Sequence, residues 1–217
     1  MALDFPLSLA DFLDRFPVAE ITLDCPVRTS GRNQASGANY TFEEAEPIWV
    51  GSIQFATMPA SQAASLEVVL RALEVPGRSF IATHPRQRGP VNDRGGAAFP
   101  ALGGVTLSAV AYGAHAVSFA GLPALFEVVA GDRFSVALAD GRRAMHEVQE
   151  AGAANAAGQL GNVSVWPYLR PGLAASDVVD FIRPAFKATI VPGSRSRGSD
   201  ARGKVSGVGF SFMQNIR

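Results

Sequence analysis

The chain has 217 residues, enough to bury roughly 70% of its unfolded surface without disulfides or structural metals, as one large β domain or two small ones. Charged residues are 18% of the total and the formal net charge is zero, so no overall electrostatic pull toward nucleic acid or a membrane surface is implied. The single cysteine, Cys25, excludes an intrachain disulfide and a cysteine metal cluster, and fits assembly in a reducing compartment as a small buried hydrophobe. Glycine and proline together number 36, which favours short strands and turns over long helices.

The opening carries Asp4, Asp11 and Asp14 and no basic leader ahead of an apolar run, unlike a secretory signal. Residues 1–18 read as an apolar segment with a short turn capped by Ser8 and ended by Pro17. Glu20 to Cys25 alternates as a strand, and residues 28–39 read as a mobile loop or hairpin tip. Glu46 to Met58 returns to a strand, with Gly51 as the expected site of a bulge. Pro59 to Glu74 is the one clear helix, its stripe made by Ala63, Leu66, Leu70 and Leu73 and its stop by Pro76-Gly77. A strand over Arg78 to Thr83 leads into the linker-like stretch HPRQRGPVNDRGGAA, the first expected domain boundary.

Gly95 to Phe126 contains no formally charged residue, but Pro100, Pro123 and several glycines interrupt it, so strands and turns are expected there instead of a membrane helix. From Gly104 onward short alternating runs follow one another. Asp140-Gly141 supplies a strong hairpin signal, and Val163 and Val165 form the last strand of the group. Such spacing predicts a small closed barrel over residues 99–170, ending at Leu169-Arg170-Pro171-Gly172. The barrel would interrupt a mixed β-sandwich domain built from residues 1–98 and 171–217. The expected fold is therefore mainly β (α+β) with one helix.

The chain's end, Arg183 to Arg217, reads as a strand, a basic glycine-serine loop and a long final strand. Val208, Phe210 and Phe212 alternate with Gly207, Gly209 and Ser211. A bare strand face suggests close approach of another backbone, within the chain or from a neighbouring subunit. Gly207, Gly209, Ser211, Phe210 and Phe212 are accordingly candidates for a subunit interface. Charge is also unevenly placed: residues 1–46 hold eight acidic and three basic side chains, whereas Asp200 is the one acid among residues 187–217. The loop over 193–204, with Arg195, Arg197, Arg202 and Lys204, reads as a flexible basic finger. It is a solvated loop, a phosphate contact, or a complement to an acidic partner such as the N-terminal part of another copy.

No catalytic constellation stands out. The histidines, His84, His115 and His146, have no helical metal spacing, and there is no nucleophile elbow and no phosphate-binding glycine loop.

Three segments carry a resemblance: FPLSLADFLDRFP, PIWVGSIQFATMPASQAASLEVVLRAL, and LRPG…RPAFKATIVPG…VSGVGFSFMQNI. In them, and in its layout, the chain resembles the distal tail proteins of long-tailed bacteriophages. That resemblance implies a structural, non-enzymatic virion protein with no cofactor and no catalytic residues to carry over. It implies a homo-oligomer, a hexameric ring at the tail tip, assembled in the host cytoplasm and without membrane insertion. Its partners would be the tail tube protein, the baseplate hub protein and the tape-measure protein, with DNA in transit through the channel. Arg195, Arg197, Arg202 and Lys204 would then face the lumen or a neighbouring subunit. The alternatives are another tail component (a tube or tail-completion protein), a hydrolase whose serine and histidine meet only in the fold, or a carbohydrate-binding module stacking sugars on Trp49, Trp166 or Tyr168.

Overall fold

The structure, a computed structural model, describes residues 3–33, 39–84, 88–99, 104–138 and 140–216. Residues 34–38, 85–87 and 100–103, which fall in three of the stretches read above, lie outside the described residues. The chain is mainly β with one helix. Its strands up to the helix are β1 (Val18–Asp24), β2 (Arg28–Asn33), β3 (Asn39–Ala45), β4 (Val50–Phe55) and β5 (Met58–Pro59). The helix α1 (Ala60–Leu73) and β6 (Phe80–Thr83) follow. The middle of the chain forms β7 (Thr106–Ala111), β8 (Ala116–Ala120), β9 (Glu127–Val128), β10 (Arg133–Ala137), β11 (Arg143–Val148), β12 (Gly152–Ala153), β13 (Leu160–Trp166) and β14 (Val179–Asp180). The end forms β15 (Ala185–Ile190), β16 (Ser196–Ala201) and β17 (Lys204–Gln214).

Both chain ends share one antiparallel sheet of seven strands. Its path runs β1-β4-β17-β15-β6, and β5 and β16 pair with the first half of the long strand β17. One face is apolar: Ile53, Phe55, Val208, Phe210, Phe212, Ala188, Phe80 and Ala82 are all buried. The helix lays Ala63, Leu66, Leu70 and Leu73, the stripe expected from their spacing, and also Val69 on this core. The N-terminal turn adds Phe12, whose ring lies 5.2 Å from Phe80 and 6.1 Å from Phe210. Ser8 caps that turn, its hydroxyl accepting the Asp11 N–H. Leu7 then bridges the outer edge of β6, and the Ile81 N–H donates to its carbonyl. The expected bulge at Gly51 is absent: Gly51 pairs in register with Leu23 and Phe212. A side chain there would meet the Thr22 carbonyl oxygen at 2.2 Å and the Phe212 ring at 2.6 Å, so the glycine makes room within a regular ladder.

The second sheet runs β14-β10-β11-β13-β8-β7. Its edges meet: Thr106 bridges Val178, the Val179 N–H donates to the Val105 carbonyl, and the Ser176 N–H donates to the Leu107 carbonyl. The sheet thus curls on itself around a core that includes Phe119, Phe134, Val136, Val165 and Phe181. The closing strand lies beyond residue 170, where the sequence placed the boundary, and Leu173, Val179 and Phe181 complete the core. A two-residue strand is too short to show a period, so only the closure exposes it. The two sheets meet at Trp49, whose indole N–H donates to the Met145 carbonyl at 2.8 Å and whose ring stacks with Phe186.

Candidate interaction surfaces

The five expected interface residues separate into two groups. Phe210 and Phe212 are sealed in the protein's own core, at 3% and 1% exposure, and so are out of reach of a neighbouring chain. Alternation alone could not distinguish a core face from an interface face. Gly209 is also buried. A side chain there would come within 2.7 Å of the Ile53 carbonyl oxygen, so the close backbone it accommodates belongs to the same chain. Gly207 and Ser211 do face outward.

Ser211 belongs to the sheet face opposite the core. By register it lies beside Ser52, which in turn lies beside Thr22. The Thr22 and Ser52 hydroxyls are 2.8 Å apart, and the Ser52 N–H donates to the Thr22 hydroxyl. Val50, Met213 and Thr189 continue the same face, all half-buried. A solvated sheet face ordinarily carries long charged side chains. Here Glu20, Asp24 and Lys187 stand only toward its margins.

The basic finger is not a loop. Residues 196–201 form β16, paired with β17 from Ser196–Gly209 to Ala201–Lys204. Arg202 and Gly203 make the two-residue turn, with φ of 52° and 75° as a type I′ turn requires. Arginine at a positive φ is uncommon, and no Asn-Gly or Asp-Gly pair announced this hairpin. Its four basic residues do not act together. Arg195 folds back onto α1, its guanidinium donating to Glu74 at 3.0 Å and lying 3.7 Å from Glu67. With its side chain 7% exposed, it pins the hairpin and is unavailable to a lumen or a partner. Arg197, Arg202 and Lys204 are exposed.

Residues 28–39 read from sequence as a mobile loop or hairpin tip; residues 28–33 and 39–45 form the two strands of a second hairpin. β2 and β3 pair only with each other, and Tyr40 and Phe42 on β3 are 58% and 53% exposed. Sequence reasoning missed both residues. The signal was present in their i, i+2 spacing within a polar stretch, but nothing local told which side they would face.

The histidines occupy different elements. His146 is buried in β11, its Nδ1–H donating to the Pro167 carbonyl at 2.9 Å. Desolvation pushes its pKa down to about 4. His115 stacks on Tyr168 with ring centroids 4.4 Å apart. The three aromatics considered for sugar stacking form no platform. Trp49 is buried, the Trp166 indole N–H donates to the Cys25 carbonyl at 3.0 Å, and Tyr168 is held between His115 and Glu43. Among the described residues no cluster of His, Cys, Asp or Glu is arranged to hold a metal ion, and no helix is long and apolar enough to cross a membrane. Comparison of the chain with protein-family models and with curated proteins finds no match.

Proposed function

We propose that this protein is a structural subunit of a bacteriophage tail, a ring-forming adaptor between tail tube and baseplate hub that leaves a central channel for DNA. One observation carries the reading: an open sheet has a bare, small-residue face, with the β16–β17 hairpin at one end and, at the other, the β2–β3 hairpin, whose strands pair only with each other. Around a ring of identical subunits, each contact joins two different patches. A subunit with unlike elements at its two poles suits that arrangement. The three sequence segments that resemble distal tail proteins supply the tail context, and the layout of helix, outer sheet and inserted barrel agrees with them.

In this reading the Thr22, Ser52 and Ser211 face is turned to a neighbour or to the channel, where hydroxyls in place of fixed charges neither bind nor repel a passing polyanion strongly. Light scattering of the purified chain tests the assembly, with particles near six protomers expected. Immunogold labelling of intact virions tests the place, with label at the tail tip expected. A monomer at high concentration, or label elsewhere on the virion, overturns the proposal.

A further inference from the structure

The β2–β3 hairpin is an arm, since neither of its strands joins either large sheet. Five residues at the end of the barrel, Trp166 to Arg170, tie it down with a period of two. The Trp166 indole N–H donates to the Cys25 carbonyl at 3.0 Å, the Tyr168 hydroxyl donates to Glu43 at 3.0 Å, and the Arg170 guanidinium donates to the Pro47 carbonyl at 3.3 Å. The residues between them turn the other way. The Pro167 carbonyl accepts the His146 Nδ1–H, and Leu169 is buried in the barrel core. Such alternation is what an extended backbone gives. The even positions therefore grip the arm and the odd ones the barrel. Cys25 belongs to the link between β1 and β2, Pro47 to the link between β3 and β4, and Glu43 to β3 itself. One strap thus holds both connectors of the arm.

Against the strap lies His146, 1% exposed. Its Nδ1–H is used by Pro167, but its Nε2 is buried with no hydrogen-bond partner among the described residues. Opposite it in the ladder is Phe134, with ring centroids 5.6 Å apart. The charge that acts on it is the Arg170 guanidinium of the strap, which opposes protonation. Other charges on the elements around it are engaged elsewhere: Glu147 with Arg133, Asp132 with the Val91 and Val129 N–H groups, and Asp180 with the Ile182 N–H. Arg143 on its own strand and Lys187 on β15 are cations and offer no acceptor. A second proton on this imidazole would be a buried charge without a counter-ion, which is costly.

We propose that the strap is a proton-sensitive latch: a proton taken from water by His146 Nε2 unseats Pro167, the Trp166, Tyr168 and Arg170 contacts part with it, and the β2–β3 arm is freed to move on its two connectors. The open form solvates the imidazole, so it binds the proton first. Its histidine returns to the usual 6.5, against about 4 in the closed form. Closure is therefore at full strength above about pH 6.5 and is lost as pH falls toward 4. Between pH 7 and pH 5 the opening equilibrium shifts about twentyfold. An opening of this kind lies below global unfolding in free energy, so both large sheets stay folded. The latch works within one copy of the chain and does not depend on ring assembly.

The single cysteine reports the opening. Cys25 is buried beside Trp166, and burial pushes its thiol up to about 12, so the closed form offers little thiolate. The full chain is labelled with 4,4′-dithiodipyridine, which reacts with thiols in acid, and each rate is divided by that of the urea-unfolded chain at the same pH. A rise of about twentyfold from pH 7 to pH 5 is expected for the wild type and none for His146→Gln, which takes up no proton there. His146→Leu serves where the glutamine variant fails to fold. Tyr168→Phe combined with Arg170→Met is expected to raise labelling about tenfold at pH 7 and to leave the pH dependence unchanged. A flat wild-type profile, or the same rise in the His146 variants, overturns the proposal. So does labelling of the double variant that matches wild type at pH 7. A labelling rate equal at every pH to that set by global unfolding in urea also overturns it, since the arm then has no opening of its own.

Discussion

The two large sheets treat their edges in opposite ways. The second sheet joins its first and last strands, so its edge hydrogen bonds are used internally around a core that includes Phe119, Phe134 and Phe181. The outer sheet stays open. β1 pairs with β4 alone, β16 pairs with β17 alone, and one of its faces carries Thr22, Ser52 and Ser211 in place of a packed layer. Closure removes a template for pairing with other chains, while an open edge offers one. The second sheet thus curls its edges together within one chain, whereas the outer sheet stays open.

The largest test of this contrast removes the centre of each core in turn. Phe134→Ala in the barrel and Phe80→Ala in the outer sheet are each expected to cost about 3–5 kcal/mol in urea unfolding. Because Trp49 is stacked on Phe186 in one sheet and bonded to Met145 in the other, both variants are expected to unfold in a single transition. Separate transitions would show the barrel to be the more independent unit. Acid sharpens the same point. His146 is held neutral by burial, with its folded pKa pushed down to about 4 from the usual 6.5. The unfolded chain therefore binds the proton first, and stability falls as pH drops from about 6.5 to 4, by about 3 kcal/mol in all. His146→Leu is expected to flatten that limb of the stability profile.

Smaller effects are expected at the hairpin. Arg195→Ala removes the ion pairs to Glu74 and Glu67, whose carboxylates reach solvent, so the global cost is about 1 kcal/mol. Hydrogen exchange of the β16 amides should nevertheless quicken, since that anchor holds the hairpin to α1. Smallest of all, Arg202→Asn places a residue suited to positive φ in the type I′ turn and should raise stability by about 0.5 kcal/mol in thermal melts. If Arg202→Asn instead lowers stability, the exposed arginine has a partner within the chain.

The sequence by itself determined the elements whose signals are local. The stripe of Ala63, Leu66, Leu70 and Leu73 marked the helix, and Asp140-Gly141 marked the turn between β10 and β11. The alternation of Val208, Phe210 and Phe212 marked the final strand, because a period of two or 3.6 is written in neighbouring residues. Closure, facing and partnership were decided only in the tertiary structure. Val178 bridges Thr106 across more than seventy residues of chain and so curls the second sheet on itself, and Phe210 faces the helix because Phe12 and Phe80 arrive there from far upstream. Arg195 was legible as a free cation until α1 set Glu67 and Glu74 beside it. Tyr40 and Phe42 lie just beyond the stretch expected as a loop or hairpin tip, and only the pairing of β2 with β3 shows them exposed on one face. A residue's spacing is a local property, but what it faces depends on which distant segments fold against it.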